Sequence, residues 1–219
     1  MITAACIYFS VTASADTLEV TGVNYSLGEN TYLLENNVDT ATYAGEGNVL
    51  LNGTTARTAY CVAIFIDINI GTVYNTSLAD INTVNNGLRV GWLLDNVLPG
   101  LITAQQGAGL QLAIWDIVND NADGFSSGGV QAATGTNATD PTALADAVLY
   151  ESESAGKSAD AWVYYNTTVG TGATAQTLMG FANFTDGGPT VPEPGTFGIV
   201  TLGLVVTGVA LRSRAGGRH

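Results

Sequence analysis

The spacing of apolar residues changes twice along the chain, and this change constrains the fold more than any other feature of the sequence. From Thr17 to about Ile70, apolar and polar residues alternate, as in TLEVTGVNYSL, or apolar residues run together, as in TAYCVAIFIDINI. Both patterns are typical of strands. The middle repeats apolar residues at helical intervals, and the strand pattern returns after Gly156 in DAWVYYNTTV and QTLMGFANF. This order predicts an α+β domain, in which a helical subdomain is inserted into a β-sandwich or barrel-like framework.

Three helices are predicted in the middle of the chain. The first lies in GLRVGWLLDNVLPG and stops at Pro99 and Gly100, because proline and glycine end helices. The second lies in GLQLAIWDIV, which repeats the same apolar spacing. The third begins in TDPTALADAVLY, where Asp140 is suited to cap the helix and Pro141 to occupy its first position.

The N-terminus has the features of an export signal. The stretch MITAACIYFSVTASA is apolar and closes on ASA, the small-x-small pattern that signal peptidase cleaves. A buried first strand is the alternative interpretation. Cleavage after Ala15 predicts a signal peptide at 1–15 and a mature domain at 16–186. Cys6 would then leave with the peptide, and Cys61 would be the only cysteine of the mature chain.

The C-terminal segment VPEPGTFGIVTLGLVVTGVALRSRAGGRH has three parts, which are a rigid linker, an uncharged apolar run and a basic tail. We predict the linker at 187–195, a single transmembrane helix at 196–211 and a cytoplasmic tail at 212–219, with a sorting motif at Pro192, Glu193 and Pro194. The apolar run is short against the roughly 20 residues that an untilted helix needs to cross a bilayer. Arginines after the span would stay in the cytoplasm and leave the body outside.

This tail resembles the PEP-CTERM sorting signal of Gram-negative bacteria. The resemblance implies that an exosortase recognises the Pro-Glu-Pro segment and removes the membrane helix, releasing or attaching the body at the cell surface. An ordinary membrane anchor is the alternative, and it would also place the body outside. We therefore expect an exported protein at the cell surface or in the extracellular matrix, after transient anchoring in the inner membrane.

Charge and histidine content exclude several function classes. The formal net charge is −13, and the basic residues Arg212, Arg214 and Arg218 lie in the tail, so the body is more acidic still. Such a surface repels phosphate backbones and predicts no nucleic-acid partner. The only histidine is His219, so a Cys-His dyad, a Ser-His-Asp triad and a histidine metal site cannot be built in the mature body. We predict no cofactor and no metal.

The segment NDNADG resembles the first half of a calcium loop, because Asn119, Asn121 and Asp123 alternate and Gly124 is sixth. The twelfth position holds Val130, where a calcium loop has its chelating glutamate. Asparagine, aspartate and glycine are also the usual turn residues, and the segment is therefore predicted to be a turn that ends the second helix.

Cys61 has no second cysteine to pair with in the mature chain. A cysteine thiolate can displace ammonia from a side-chain amide and form an internal thioester, and Gln111 in GLQLAIW is a candidate, with Gln105 and Gln106 nearby. Gln111 and Trp115 are four residues apart and therefore share one helix face. The residues alone leave this open, because free cysteine is among the most buried residue types and often only fills space in a core.

The segments AYCV and LQLAIW together resemble the bacterial surface thioester domain. That family joins a Tyr-Cys segment to a Gln-x-Ala-Ile-Trp motif by a Cys–Gln thioester, and RVGWLLDNVLP is similar to the helix that precedes its glutamine motif. The resemblance implies a cross-link between Cys61 and Gln111, shielded by Trp115 and Tyr60. It implies single-turnover acyl transfer, so that the protein is not an enzyme in the usual sense.

The expected function is that of a covalent adhesin of the cell surface or biofilm. Its partner would be a nucleophile on a surface or matrix, either a protein lysine or a polysaccharide hydroxyl, and exosortase would process it. The alternative hypothesis is a non-covalent extracellular matrix or glycan-binding module, in which Cys61 is buried and inert.

Overall fold

The computed structural model describes residues 16–64, 66–160, 162–168 and 178–181, which all belong to the compact unit Met1–Ala182. The predicted signal peptide at 1–15, linker at 187–195, membrane helix at 196–211 and tail at 212–219 lie outside these residues. Within the described ranges, no helix has the length and apolar character needed to cross a bilayer.

The strands of the described residues form one antiparallel sheet. They are β1 (Asp16–Glu35), β2 (Val38–Leu51), β3 (Thr55–Cys61), β4 (Val73–Asp80), β5 (Gln131–Ala132), β6 (Trp162–Thr168) and β7 (Leu178–Phe181). The strand order is β2-β3-β7-β6-β4-β1-β5, and β1 also pairs with β2. The sheet therefore closes on itself, with the short β5 outside the ring, and closure leaves few free strand edges.

The three helices lie between β4 and β6 in the chain, as the sequence predicts. They are α1 (Gly87–Asn96), α2 (Ala104–Asp120) and α3 (Pro141–Ser154). The predicted cap of α3 is confirmed, since the Asp140 carboxylate accepts hydrogen bonds from the Thr142 and Ala143 N–H groups at 2.7 and 3.1 Å. The predicted turn after α2 is also confirmed, with Asn121 in the left-handed conformation that ends helices.

Helix α2 lies at the centre of the molecule, and every residue from 107 to 117 is buried. Its close packing depends on two glycines. A Cβ at Gly107 would lie 2.7 Å from the Leu27 Cα of β1, and one at Gly109 would lie 2.9 Å from the Ala143 carbonyl of α3. The largest buried cluster combines residues of all three helices with Leu33, Ala44 and Tyr60 of the strands. The helices therefore share one core with the sheet and do not build a separate one.

Two parts of the sheet differ from the sequence prediction. The strand predicted through TAYCVAIFIDINI is wrong beyond Cys61, where β3 ends. Two of the apolar side chains that follow, Ile66 and Ile70, are exposed along a cavity, so apolar character there does not indicate a strand. Conversely, β4 was not predicted, because its sequence VYNTSLAD is mostly polar. In the structure its buried residues Tyr74 and Thr76 alternate with exposed ones, as in a strand.

Candidate functional site

The structure brings the side chain of Gln111 onto the backbone of Cys61. Gln111 Oε1 accepts a hydrogen bond from the Cys61 N–H at 3.0 Å, and Gln111 Nε2 donates to the Cys61 carbonyl at 2.8 Å. Gln111 is fully buried, and Cys61, a free thiol, is half-buried. Together the two bonds hold the amide carbon of Gln111 against the residue that carries the thiol.

The end of β3 explains this contact. The pairing of β2 with β3 stops at Gly47 and Ala59, so the ladder does not continue to Cys61 on that side. The carboxamide of Gln111 bonds there instead, donating and accepting as a strand partner would. Because the N–H and the carbonyl of Cys61 are both bonded, neither backbone group is left without a partner in the interior.

Only one of the three neighbouring glutamines has this role. Gln106 caps α2, since its Oε1 accepts from the N–H groups of Ile102 and Thr103 at 2.9 and 3.2 Å. Gln105 is half-buried in the first turn of the helix. The structure thus places Gln111, and not Gln105 or Gln106, at Cys61.

A cavity of about 590 Å³ reaches Cys61 from the side of β1 and β2. Cys61 and Trp115 line it, together with residues of the segment 66–70 that follows β3. Its wall includes Tyr43, whose ring packs edge-on against the exposed Tyr25 at a centroid distance of 5.5 Å. A small molecule or an extended side chain from a partner fits such a volume.

The two aromatic residues expected to shield the thioester lie in different environments. Trp115 follows Gln111 by one turn, is 2% exposed and lines the cavity beside Cys61. Tyr60 is 1% exposed and packs in the core that the strands share with the helices, and it is not one of the described residues that line the cavity. The structure therefore brings Cys61, Gln111 and Trp115 together and places Tyr60 in the core behind them.

Burial controls the protonation of the groups around the site. It raises the pKa of the Cys61 thiol to about 12, because removal from water disfavours the thiolate. The pKa of Tyr43 is also raised, chiefly by burial and further by Tyr25 and Glu46. The thiol is therefore protonated at neutral pH, and a Cys61 thiolate is a poor leaving group.

Two features of the site could not be found in the sequence. One is the cavity, whose lining comes from β1, β2 and the 66–70 segment. The other is Asn119, whose Nδ2 donates to the carbonyls of Val62 at 3.2 Å and Trp115 at 2.8 Å. This side chain ties the segment after Cys61 to α2. In the sequence it is one asparagine among the turn residues of NDNADG.

A cluster of carboxylates begins with the residue that follows Trp115. It consists of Asp116, Asp120 and Asp123, which each offer one oxygen within 4.8 Å of the others. We refer to these three residues as the acidic cluster. They come from the end of α2 and the turn that follows it, and carboxylates in this arrangement are suited to a hard cation.

Comparison with known proteins identifies one segment of the chain. Residues 190–215 match the model of the PEP-CTERM protein-sorting motif. The predicted PEP-CTERM sorting signal is thereby confirmed, the predicted Pro192, Glu193 and Pro194 lie within the matched segment, and the match supports exosortase as a processing partner. The motif indicates a secreted protein that is sorted to the cell surface. No curated protein and no solved structure matches the chain.

Proposed function

We propose that the chain is an exported surface protein in which Cys61 and Gln111 form an internal thioester, by which it attaches covalently to a target surface or matrix. The observation that carries the proposal is the pair of hydrogen bonds between the Gln111 carboxamide and the Cys61 backbone. The sorting motif directs the protein to the cell surface, where covalent attachment to a target would be useful. In this proposal the body reaches the surface after transient anchoring in the inner membrane.

The observed contact favours formation of the bond. The Cys61 N–H donates to the Gln111 carbonyl oxygen, so it polarises the carbonyl that the thiol attacks and stabilises the oxyanion that develops there. The Cys61 sulfur bonds to the Gln111 amide carbon, the bond from that carbon to Nε2 breaks, and the thiol proton leaves with the nitrogen as ammonia. Proximity offsets the high pKa of the thiol, because the reaction is intramolecular and needs to occur only once.

The thioester is an acyl donor held in reserve. A target amine or hydroxyl enters through the cavity and attacks the Gln111 carbonyl carbon. An amide or ester forms, the carbon–sulfur bond breaks, and Cys61 recovers its proton as a free thiol. The raised thiol pKa and the buried Trp115 indole beside Cys61 both slow loss of the acyl group to water.

An intact-mass measurement on the purified chain tests the proposal. We expect the measured mass to be one ammonia lighter than the mass calculated from the sequence with the same N- and C-termini. Addition of methylamine should then raise the measured mass by one methylamine. Cys61→Ala and Gln111→Ala should each abolish both effects. Gln105→Ala, a change on the same helix away from Cys61, is the matched control and should retain them.

Alkylation must be measured after unfolding. A free Cys61 with a pKa of about 12 would resist alkylation in the folded chain whether or not it is acylated. A full mass, together with complete alkylation of Cys61 in denaturant, would favour the alternative of a non-covalent matrix or glycan-binding module. Retention of the ammonia deficit in Cys61→Ala would show that another residue is modified.

A further inference from the structure

The acidic cluster at the end of α2 is held in place by the turn that follows. Asp120 Oδ2 accepts from the N–H groups of Gly129 and Val130, the second at 3.0 Å, and Asp116 Oδ2 accepts from the Gly124 N–H at 3.0 Å. Gly128, at φ +91°, approaches the cluster so closely that a Cβ there would lie 2.9 Å from Asp123 Oδ1. The turn therefore packs its backbone against the carboxylates, which keeps them together.

Buried oxygens without partners point to a ligand at this place. Asp116 is fully buried, and no donor in the part of the chain that the structure describes reaches its Oδ1. Glu151 of α3 is 8% exposed, its Oε1 is equally without a donor, and its carboxyl group lies within hydrogen-bonding distance of the Asp116 carboxyl. An unpartnered buried carboxylate is costly, and two facing each other are more so.

The nearby arginine does not satisfy these oxygens. Arg89 Nη2 donates to the backbone carbonyl of Glu151 at 2.6 Å, and its Nε donates to Ser154 Oγ at 3.0 Å. The cluster also lies at the C-terminal end of α2, where the helix dipole is negative and acidic side chains are unfavourable. Helix dipole and carboxylates together create a strongly negative site that a cation would stabilise.

We propose that Asp116, Asp120, Asp123 and Glu151 form a calcium-binding site at the C-terminal end of α2. Calcium binds six to eight oxygens at about 2.3–2.6 Å, so oxygens around one ion lie up to about 5 Å apart. The 4.8 Å spread of the cluster fits this geometry. Magnesium needs a smaller and more regular octahedron, which an irregular turn does not provide. Val130 stands where a calcium loop has its chelating glutamate, and in this proposal Glu151, from another helix, supplies that carboxylate.

Calcium chloride titrated into the full chain, after removal of metal with EDTA, tests the site by isothermal titration calorimetry. We expect one ion per chain with a dissociation constant on the order of 10⁻⁴ to 10⁻³ M, as in extracellular calcium modules. Calcium, but not the same concentration of magnesium, should also raise the melting temperature.

Asp123→Ala is the informative variant, because Asp123 is exposed and its loss does not remove a core residue. It should weaken binding at least tenfold. The matched control is Asp160→Ala, an exposed aspartate that is not a member of the cluster, which should bind as the wild type does. Cys61→Ala should also bind calcium normally, so this test does not depend on the thioester.

Two results would overturn the site. The first is no heat of binding and no calcium-dependent change in melting temperature, which would leave a proton shared by Asp116 and Glu151 as the explanation of their contact. The second is equal weakening by Asp123→Ala and Asp160→Ala, which would show only general attraction of calcium to an acidic protein.

Discussion

Two buried polar side chains on α2, Gln111 and Asp116, differ in how their hydrogen-bonding needs are met. Gln111 is satisfied from within the chain, because its oxygen and its nitrogen both bond to the backbone of Cys61. Asp116 has a donor for one oxygen in Gly124 and none among the described residues for the other. The two residues are little more than one turn apart on the same helix, so the contrast is one of chemistry and not of burial.

The contrast separates a complete site from one that needs an addition. A neutral amide matches one N–H and one carbonyl, and a strand end offers both at Cys61. A carboxylate accepts only, and at Asp116 it faces a second carboxylate, that of Glu151. In the proposed function the first arrangement reacts internally without any further component, whereas the second requires a proton or a cation from outside.

The largest effect is expected from Gln111→Ala. This change leaves the N–H and the carbonyl of Cys61 without their partners in the interior and opens a cavity in α2. We expect a loss of roughly 3 kcal/mol in the free energy of unfolding, measured with urea. Cys61→Ala is the reference against which this loss is measured, because it prevents the proposed thioester, in which Nε2 has left as ammonia, and keeps both backbone hydrogen bonds.

Gln111→Glu examines the same contact by charge. One carboxylate oxygen could accept from the Cys61 N–H, but the other would face the Cys61 carbonyl and is tolerated only when protonated. The folded-state pKa of this glutamate would be raised, so the variant should regain stability relative to Cys61→Ala, which keeps the amide, as the pH falls towards about 4. A stability deficit that is independent of pH would show that the carbonyl contact is unimportant.

The sequence predicts the parts of this molecule that depend on local pattern. The three helices, the cap at Asp140 and the turn after α2 follow from apolar spacing and from residues with strong local preferences. The candidate pair of Cys61 and Gln111 came from a family resemblance, since nothing local distinguishes Gln111 from Gln105. The position of α2 also depends on two glycines that allow it to lie directly on β1 and α3, and this packing is long-range.

Other features of the site cannot be predicted from local pattern, because they depend on packing between segments that are distant in the sequence. The cavity depends on where the 66–70 segment folds back, and the acidic cluster gains Glu151 only through the packing of α2 on α3. The run after Cys61 misled the strand prediction because two of its isoleucines, Ile66 and Ile70, line the cavity and are exposed. Burial was inferred there from residue type, and the tertiary structure decides it differently.

A medium effect on stability is expected when the pH changes the protonation of Glu151 beside Asp116. Burial, and after it Asp116, raises the pKa of Glu151 from 4.5 to about 8. Between these values the folded state holds a proton that the unfolded state has released, so in EDTA the stability should fall as the pH rises through this window. Glu151→Gln should reduce the slope by up to about one proton, and its amide can donate to Asp116 in place of that proton.

Melting curves from pH 4.5 to 8 measure this slope. Glu153→Gln, an exposed change on the same helix, should leave it at the wild-type value. Calcium should flatten the wild-type slope, because a cation stabilises the ionised carboxylates. Identical slopes for wild type and Glu151→Gln in EDTA would mean that Glu151 is ionised in the folded chain at both ends of the range.

The smallest effect is expected from Asn119→Ala. Asn119 lies on α2 between Gln111 and Asp120 of the acidic cluster. Asn119 Nδ2 bonds to the carbonyls of Val62 and Trp115, so its loss frees the segment that follows Cys61 without disturbing Gln111. We expect a loss of about 1 kcal/mol in stability, since Asn119 is exposed and water replaces part of the bonding. Hydrogen exchange should become faster in the segment 62–72 and remain unchanged in α3.

Asn96→Ala is a close control for this variant. Asn96 Nδ2 donates to the Trp92 carbonyl at 2.8 Å, the same four-residue bond that Asn119 makes to Trp115, but on α1. Loss of that bond removes a similar local contact and leaves the link to Val62 intact. If both variants speed exchange in 62–72 equally, the link does not hold the segment; if only Asn119→Ala does, one side chain couples the wall of the cavity to the helix that carries both regions.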